Sequence, residues 1–351
     1  MLFSIYRIED KLLVACGGGD KKFGVKNKIN MYQIESGYIS KNLVEENLDQ
    51  IPEFIEGIPT KKIFGTCCKN KIIFYKISPD NKSFQNIYTL NINQEDISLD
   101  CFKINEDILA TGDDNGSLRL FKINFSENKI NSINEICRND NAHSRGINKI
   151  IFFTRNKSKF LLTASQDGTC KIFDMNNISI KMISFFSFRQ FQSEFSNYFM
   201  RDLILINQSN LVYTLQSMAK GKSFLTKWDI SNINFVKPIE TIKISDIPCF
   251  SFDITENNNY LGTADSQGNI YFVDTKNMII TGWRKLNDED MVKNCRFYDN
   301  YLITGSIGNI VCMNKIITGF TSKLIKFTFH IIFILAICYY SYLKKNNLID
   351  D

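Results

Sequence analysis

The sequence of 351 residues has only two histidines, His143 and His330. Its ten cysteines include no C-x-x-C pair, so the ligand spacing typical of a zinc site is missing. Lysines are scattered without a long basic block and the formal net charge is only +5, which argues against a nucleic-acid-binding protein. No nucleophile–base pairing is recognisable around His143, so the sequence indicates neither hydrolysis nor a small-molecule substrate.

The first residues, MLFSIYRIEDK, mix acid and base and lack the apolar run of a secretory signal. Unpaired, scattered cysteines are typical of a reducing compartment, where they serve as small apolar core residues. We therefore expect the large N-terminal part of the chain to lie in the cytosol.

One long apolar run is present near the C-terminus, at residues 324–343, with Lys326 as its only formal charge if His330 is neutral. A helix of twenty residues rises about 30 Å, the thickness of a bilayer core. Three tyrosines cluster at one end, at positions 339, 340 and 342, as in an interfacial aromatic belt. The run predicts a transmembrane helix, and a buried core helix or strand is the alternative.

Before this run the chain repeats one unit seven times. Each unit reads as an apolar strand ending in Thr and small residues, a turn with Gly, and a second apolar strand, as in KFLLTASQDGTCKIFDM at 159–175. Landmark residues mark the copies at Ala15, Thr66, Thr111, Thr163, Thr214, Thr263 and Thr304. They recur every 41 to 52 residues, close to the length of a four-stranded propeller blade.

The repeats predict an all-β fold: a seven-bladed WD-repeat-like β-propeller followed by one C-terminal transmembrane helix. Segments 147–153 and 249–254 precede hairpins as innermost strands would, and Asp167-Gly168 is a strong hairpin signal. Residues 315–319 are a candidate for the last outer strand of blade seven.

The chain resembles the WD-repeat family at Trp228-Asp229 and, in degenerate form, at Phe173-Asp174. The stretch NAHSRGINKIIFF at 141–153 is similar to the place where that family has a His ahead of a blade's first strand. The resemblance implies that His143 forms a hydrogen bond within its blade, to Thr163 or Ser165.

The stretch CGGGDKKFGVKN at 16–27 poses a separate question, because glycine runs often bind phosphate. Gly19 and Gly24 have P-loop spacing, but Val25 stands where the Lys should be and a strand follows instead of a helix. A G-x-G-x-x-G pattern fails because Lys22 occupies its third glycine position. Two interpretations stay open: a surface loop without function, or a loop whose carbonyls and side-chain oxygens hold a cation and contact a protein.

The glycine-rich loop, the degenerate propeller and the apolar run together resemble one family. It is the endoplasmic-reticulum guanine-nucleotide exchange factor family of the Sar-type small GTPase, also called the prolactin regulatory element-binding protein family, which starts COPII coat assembly. The resemblance implies a GTPase-contacting loop of Gly17, Gly18, Gly19, Asp20, Phe23, Gly24, Val25 and Asn27. It also implies a structural K⁺, for which Gly19, Asp20 and Asn27 are the candidate ligands.

We therefore expect four segments: a cytosolic propeller at 1–318, a short linker at 319–323, the transmembrane helix at 324–343 and a lumenal tail at 344–351. The expected function is GDP/GTP exchange on a Sar-type GTPase at the endoplasmic-reticulum membrane, without bond-making chemistry and without nucleic acid. A membrane-anchored scaffold propeller that lacks exchange activity is the alternative.

Overall fold

The computed structural model describes residues 1–18, 26–35, 37–92, 97–126, 129–176, 179–190, 197–206, 209–286 and 290–317. Within these ranges the chain forms 27 β-strands and two short 3-10 helices, Pro59–Lys61 and Phe188–Gln190. The strands form seven antiparallel sheets in which each strand pairs with its neighbours in sequence, and these sheets are the blades of a propeller. The predicted all-β, seven-bladed architecture is confirmed.

Blades one to four each have four strands. They are β1 Leu2–Ile8, β2 Lys11–Cys16, β3 Asn27–Glu35 and β4 Tyr38–Leu48; β5 Phe54–Ile58, β6 Ile63–Cys68, β7 Lys71–Ile77 and β8 Phe84–Asn91; β9 Leu99–Asn105, β10 Ile108–Asp113, β11 Leu118–Ser126 and β12 Lys129–Asn139; β13 Ile147–Arg155, β14 Ser158–Ser165, β15 Thr169–Asp174 and β16 Lys181–Ser187.

Blades five and six also have four strands, and blade seven has three among the described residues. They are β17 Phe199–Ile206, β18 Leu211–Ser217, β19 Ser223–Asp229 and β20 Lys237–Ser245; β21 Cys249–Ile254, β22 Tyr260–Asp265, β23 Asn269–Asp274 and β24 Ile279–Lys285; β25 Val292–Tyr298, β26 Tyr301–Ser306 and β27 Val311–Lys315. The segments expected to be innermost strands are indeed β13 and β21.

The landmark residues all lie on the second strand of a blade and are at most 2% exposed. Second strands are covered on both faces because each blade packs between two others, so they read as nearly continuous apolar runs such as LLVAC and IFGTCC. A buried threonine hydroxyl needs a hydrogen-bond partner, and Thr263 Oγ1, for example, donates to the carbonyl of Ser251 at 2.8 Å. The landmark recurs because this buried position between apolar flanks takes a small side chain, which is threonine in six blades and Ala15 in blade one.

Seven clusters of buried apolar side chains hold the ring together, one between each pair of neighbouring blades. In the cluster between blades four and five, Trp228 is 0% exposed and its ring centroid lies 4.8 Å from that of Phe186. The Trp228 indole N–H donates to Thr214 Oγ1 at 2.6 Å. The tryptophan of the WD pair is therefore a packing residue with one satisfied polar atom.

The ring closes where blade seven meets blade one. A Cβ atom at Gly305 on β26 would lie 2.6 Å from the side chain of Ile5 and 2.7 Å from that of Leu2, so only glycine lets these strands approach. Asn294 Nδ2 donates to the Phe3 carbonyl across the same seam at 2.6 Å. All four strands of blade one come from one continuous stretch of the chain, so blade one shares no described strand with blade seven. Among the described residues the two blades are therefore joined by side-chain packing and by this hydrogen bond.

The end of the described chain departs from expectation. Lys315 ends the third strand of blade seven, and Ile316 and Ile317 continue beyond it without strand pairing. The Thr281 hydroxyl on β24 donates to the Ile317 carbonyl at 3.2 Å, so the last described residue lies against blade six. No helix among the described residues is long and apolar enough to cross a membrane, and the expected span at 324–343 lies outside those residues, as do the linker and the tail.

The Trp228–Thr214 contact gives a stability prediction. Replacing Thr214 by Val leaves the indole N–H buried without its acceptor, which should lower the free energy of unfolding by about 1–3 kcal/mol. Urea denaturation of the full chain in detergent measures the change. The matched control is Thr89→Val at an exposed position of β8, which should change stability by less than about 0.5 kcal/mol. Equal losses in the two variants would contradict the role of this contact.

Candidate functional site

The glycine-rich loop leaves blade one at a fixed base. Gly17 and Gly18 follow β2, and Asn27 opens β3. The Met1 nitrogen donates to the Gly17 carbonyl at 2.5 Å, and the Gly17 N–H donates back to the Met1 carbonyl at 2.8 Å. The first residue of the chain therefore ties down the start of the loop.

Gly17, after β2, and Asn27, at the start of β3, contact each other at the base of the loop. A Cβ atom at Gly17 would collide with Asn27 Oδ1, so a glycine is required for Asn27 to pack there. Asn27 is 6% exposed, and its Nδ2 donates to the Asp49 carbonyl at 3.5 Å. Of the residues assigned to the loop from sequence, the structure thus places Gly17, Gly18 and Asn27 together. Gly19, Asp20, Phe23, Gly24 and Val25 lie outside the described residues.

The loop shares its face of the ring with the mouth of the central channel. Leu2 pairs with Cys16, so the loop leaves β2 at the end where the innermost strand β1 begins. A cavity of 340 Å³ opens among the first residues of the innermost strands. Each blade contributes to it: Phe3, Phe54, Asp100, Lys149, Arg201, Phe250 and Lys293.

Two cations of this mouth lie against aromatic rings. The Arg201 guanidinium is 4.7 Å from the ring centroid of Phe199 and 5.2 Å from that of Phe250, and its Nε donates to Ser217 Oγ at 2.9 Å. Lys293 Nζ is 4.9 Å from the ring centroid of Phe3. Neither forms an ion pair with a carboxylate of the described residues. Burial lowers the pKa of Arg201 to about 10 and lowers the pKa of Lys293 as well.

The opposite sector of the mouth is acidic. Burial, aided by the nearby charges of Asp114 and Glu53, raises the pKa of Asp100 to about 7. Asp100 Oδ2 is buried without a hydrogen-bond partner among the described residues. Lys149 lies between the sectors and pairs with Asp202 at 3.2 Å. The mouth therefore carries cationic, acidic and phenylalanine side chains around one opening, a surface suited to binding a peptide or protein.

His143 has the structural role that the WD resemblance implies. Its Nε2 is 2.7 Å from Thr163 Oγ1 and its Nδ1 is 2.9 Å from Asp167 Oδ2. Burial lowers the pKa of His143, and the Asp167 carboxylate offsets this only in part. Burial alone would raise the pKa of Asp167, but hydrogen bonds from His143 and Thr169 outweigh it and hold that pKa well below its usual value. The predicted bond to Thr163 is confirmed, whereas Ser165 Oγ donates to the Arg145 carbonyl instead.

The channel mouth was missed in the sequence. Its residues are spread over nearly 300 positions with one contribution from each blade, so no local motif marks them. A signal was nonetheless present: Lys149 and Phe250 are near the start of the two segments recognised as innermost strands. Aligning the same position in all seven blades would have assembled the set.

Comparison with known proteins agrees with this architecture. The family model for the WD domain, G-beta repeat, matches residues 135–174, which include β13, β14 and β15 of blade four. No curated protein sequence matches the chain.

Several solved structures share the fold at low sequence identity. Sqt1 of Saccharomyces cerevisiae is 15% identical with a TM-score of 0.64, over 90% of this chain and 82% of that one. The WD40 β-propeller domain of Doa1 is 12% identical with a TM-score of 0.65, over 89% and 92%. A protein from Lactobacillus plantarum is 11% identical with a TM-score of 0.64, over 82% and 86%.

These similarities and the sheet topology define an all-β, seven-bladed propeller. With the repeat match over blade four and the bonded His143 and Trp228 in neighbouring blades, the chain is a WD40-repeat protein. Propellers of this class typically act as protein-interaction scaffolds.

The raised pKa of Asp100 gives a pH prediction. The folded state holds a proton that the unfolded chain releases near pH 3.8, so this group's stabilising contribution is complete below that pH and is lost as pH rises through about 7. Asp100→Asn should therefore flatten the profile of unfolding free energy between about pH 4 and about pH 7 and raise stability relative to wild type at the alkaline end of that range. Urea denaturation across this range measures it. Parallel profiles for variant and wild type would contradict the prediction.

Proposed function

We propose that this protein is a guanine-nucleotide exchange factor for a Sar-type small GTPase at the endoplasmic-reticulum membrane, where it starts COPII vesicle coat assembly. The observation that carries the proposal is the base of the glycine-rich loop. Asn27 packs against the backbone of Gly17 there. Met1 and Gly17 form two backbone hydrogen bonds, each residue donating its nitrogen proton to the carbonyl of the other. An insertion anchored in this way on one face of a rigid ring is suited to pressing into a partner.

Exchange needs no bond-making step. The factor binds the nucleotide-free GTPase more tightly than the nucleotide-bound form, and this difference in affinity accelerates GDP release. GTPases hold nucleotide through a P-loop, Mg²⁺ and switch segments, so a protruding loop that displaces these contacts is sufficient. Gly17, Gly18, Gly19, Asp20, Phe23, Gly24, Val25 and Asn27 are the proposed contact segment.

One described residue is suited to a structural K⁺. Asn27 offers an amide oxygen, the kind of ligand that hard cations take, and it is buried at the loop base. The Gly17 carbonyl, in contrast, already accepts from Met1. Asn27 would hold the ion together with Gly19 and Asp20, and bound K⁺ would stiffen the loop by tying its oxygens together.

Membrane attachment follows from the apolar run at 324–343, which we propose to be a single transmembrane helix with the propeller in the cytosol and residues 344–351 in the lumen. Such an anchor raises the local concentration of the exchange factor where activated GTPase is needed.

A second function is favoured by the channel mouth. Arg201 and Lys293, lying against aromatic rings, would bind acidic side chains of a partner protein. This is the alternative of a membrane-anchored scaffold without exchange activity. The two functions differ in whether GDP release is accelerated.

The proposed exchange activity predicts that substitutions in the glycine-rich loop slow GDP release. Full-length protein in detergent should accelerate release of fluorescent GDP from the Sar-type GTPase, and alanines at 18–20 should reduce this acceleration by roughly tenfold or more because the contact is lost. The measurement is the stopped-flow release rate, with K⁺ or Na⁺ as the only monovalent cation. Exchange through a K⁺-stiffened loop should be faster in K⁺.

The matched control replaces Lys220 and Lys222 by Ala in the corresponding turn of blade five, between β18 and β19. Control and loop variants should melt within a few degrees of wild type, because Gly18 follows the end of β2 and the two lysines lie in the turn between β18 and β19. Wild-type protein that leaves the GDP release rate unchanged at micromolar concentration would contradict the exchange function and favour the scaffold.

A further inference from the structure

The outer strand of blade six exposes large apolar side chains. On β24, Ile279 is 58% exposed, Ile280 is 36% exposed and Trp283 is 63% exposed. Natural proteins blunt edge strands with charge or cover them, because an open apolar edge invites aggregation. Ile280 and Trp283 lie on one face of β24 and Ile279 lies on the other, so both faces of this edge strand carry exposed apolar side chains. This indicates an edge that something covers.

The chain itself leads from this strand to its most apolar segment. A Cβ atom at Gly282 would lie 2.7 Å from the Ile317 side chain, and Thr281 Oγ1 donates to the Ile317 carbonyl at 3.2 Å. Seven positions separate Ile317 from Leu324, where the apolar run begins. A chain of this length spans at most about 25 Å even when fully extended. A bilayer that holds residues 324–343 would thus lie close to β24.

The side chains on β24 have the chemistry of a membrane interface. Tryptophan is enriched at the boundary between lipid and water, where its ring is half in each phase. Isoleucines gain from burial among acyl chains, and the exposed cation Arg284 of the same strand can approach anionic head groups. A bilayer therefore satisfies both the apolar and the charged groups of this edge.

We propose that β24 is the membrane-facing edge of the propeller, with Ile279, Ile280 and Trp283 inserted into the interfacial layer of the bilayer. This inference rests on the membrane anchor proposed above and is independent of exchange activity. It fixes the orientation of the ring, with the rim of blade six toward the bilayer and blades one and four each two positions away around the ring.

The two tryptophans of the chain make the test direct. Trp228 is fully buried between blades and serves as the internal background, whereas Trp283 is the exposed reporter. Full-length protein is reconstituted into phosphatidylcholine–phosphatidylserine vesicles with or without brominated lipid, which quenches only tryptophan inserted among the lipids. The Trp283 contribution is the difference between wild type and Trp283→Phe. It should fall by roughly twofold or more with brominated lipid, because interfacial burial is 5–10 Å deep.

A matched control moves the reporter to another blade. Phe185 on β16 of blade four is 50% exposed, so Phe185→Trp in the Trp283→Phe background places a comparable tryptophan two blades away. This tryptophan should not be quenched by brominated lipid.

The outcomes distinguish the proposals. Protein that floats with the vesicles but shows no lipid quenching of Trp283 would overturn the membrane-facing edge and leave the anchor intact. Protection of Trp283 from aqueous acrylamide without lipid quenching would also overturn it, because another protein surface then covers the strand. Protein that does not float would overturn both anchor and edge. The exchange assay uses detergent and GTPase, so its failure affects neither.

Discussion

The packing of blade one against blade seven is the contact on which the ring depends. Each blade buries its apolar faces only against neighbours, so every interface relies on a closed circle. Leu2 and Ile5 reach the backbone of Gly305, where any side chain would collide, and Asn294 holds the Phe3 carbonyl at the same seam. Among the described residues each blade uses consecutive strands, so closure depends on this side-chain packing and on the Asn294 hydrogen bond.

Antiparallel pairing within each blade brings the recognition features to one face. The innermost strands all begin at the mouth of the channel, and β2 returns to that end before the glycine-rich loop. The Arg201 and Lys293 cations and the loop base are therefore available to the same partner. The proposed membrane-facing edge lies on the rim, so a partner bound on this face would lie beside the bilayer and not between ring and bilayer.

Much of the fold was predictable from local pattern. Ala15 and the six landmark threonines, Thr163 among them, marked the second strands because burial on both faces demands an apolar run with a small residue at this position. The bond between His143 and Thr163 followed from the WD resemblance. The prediction of an outer strand at 315–319 is wrong for Ile316 and Ile317, because Ile317 packs on Gly282 of another blade, a contact distant in sequence, and residues 318 and 319 lie outside the described residues. The meeting of Arg201 and Lys293 at the channel mouth was likewise not predicted, because the two residues are distant in sequence.

The sequence by itself determined the number of blades, the position of their strands and the place of the glycine-rich insertion, because hydrophobic period and turn chemistry act over a few residues. Tertiary structure alone decided how the ring closes, which charges meet at the channel mouth, and why Gly17 must lack a side chain beside Asn27. Those features arise between residues that only the circular arrangement of blades brings together, and local propensity carries no information about such distant neighbours.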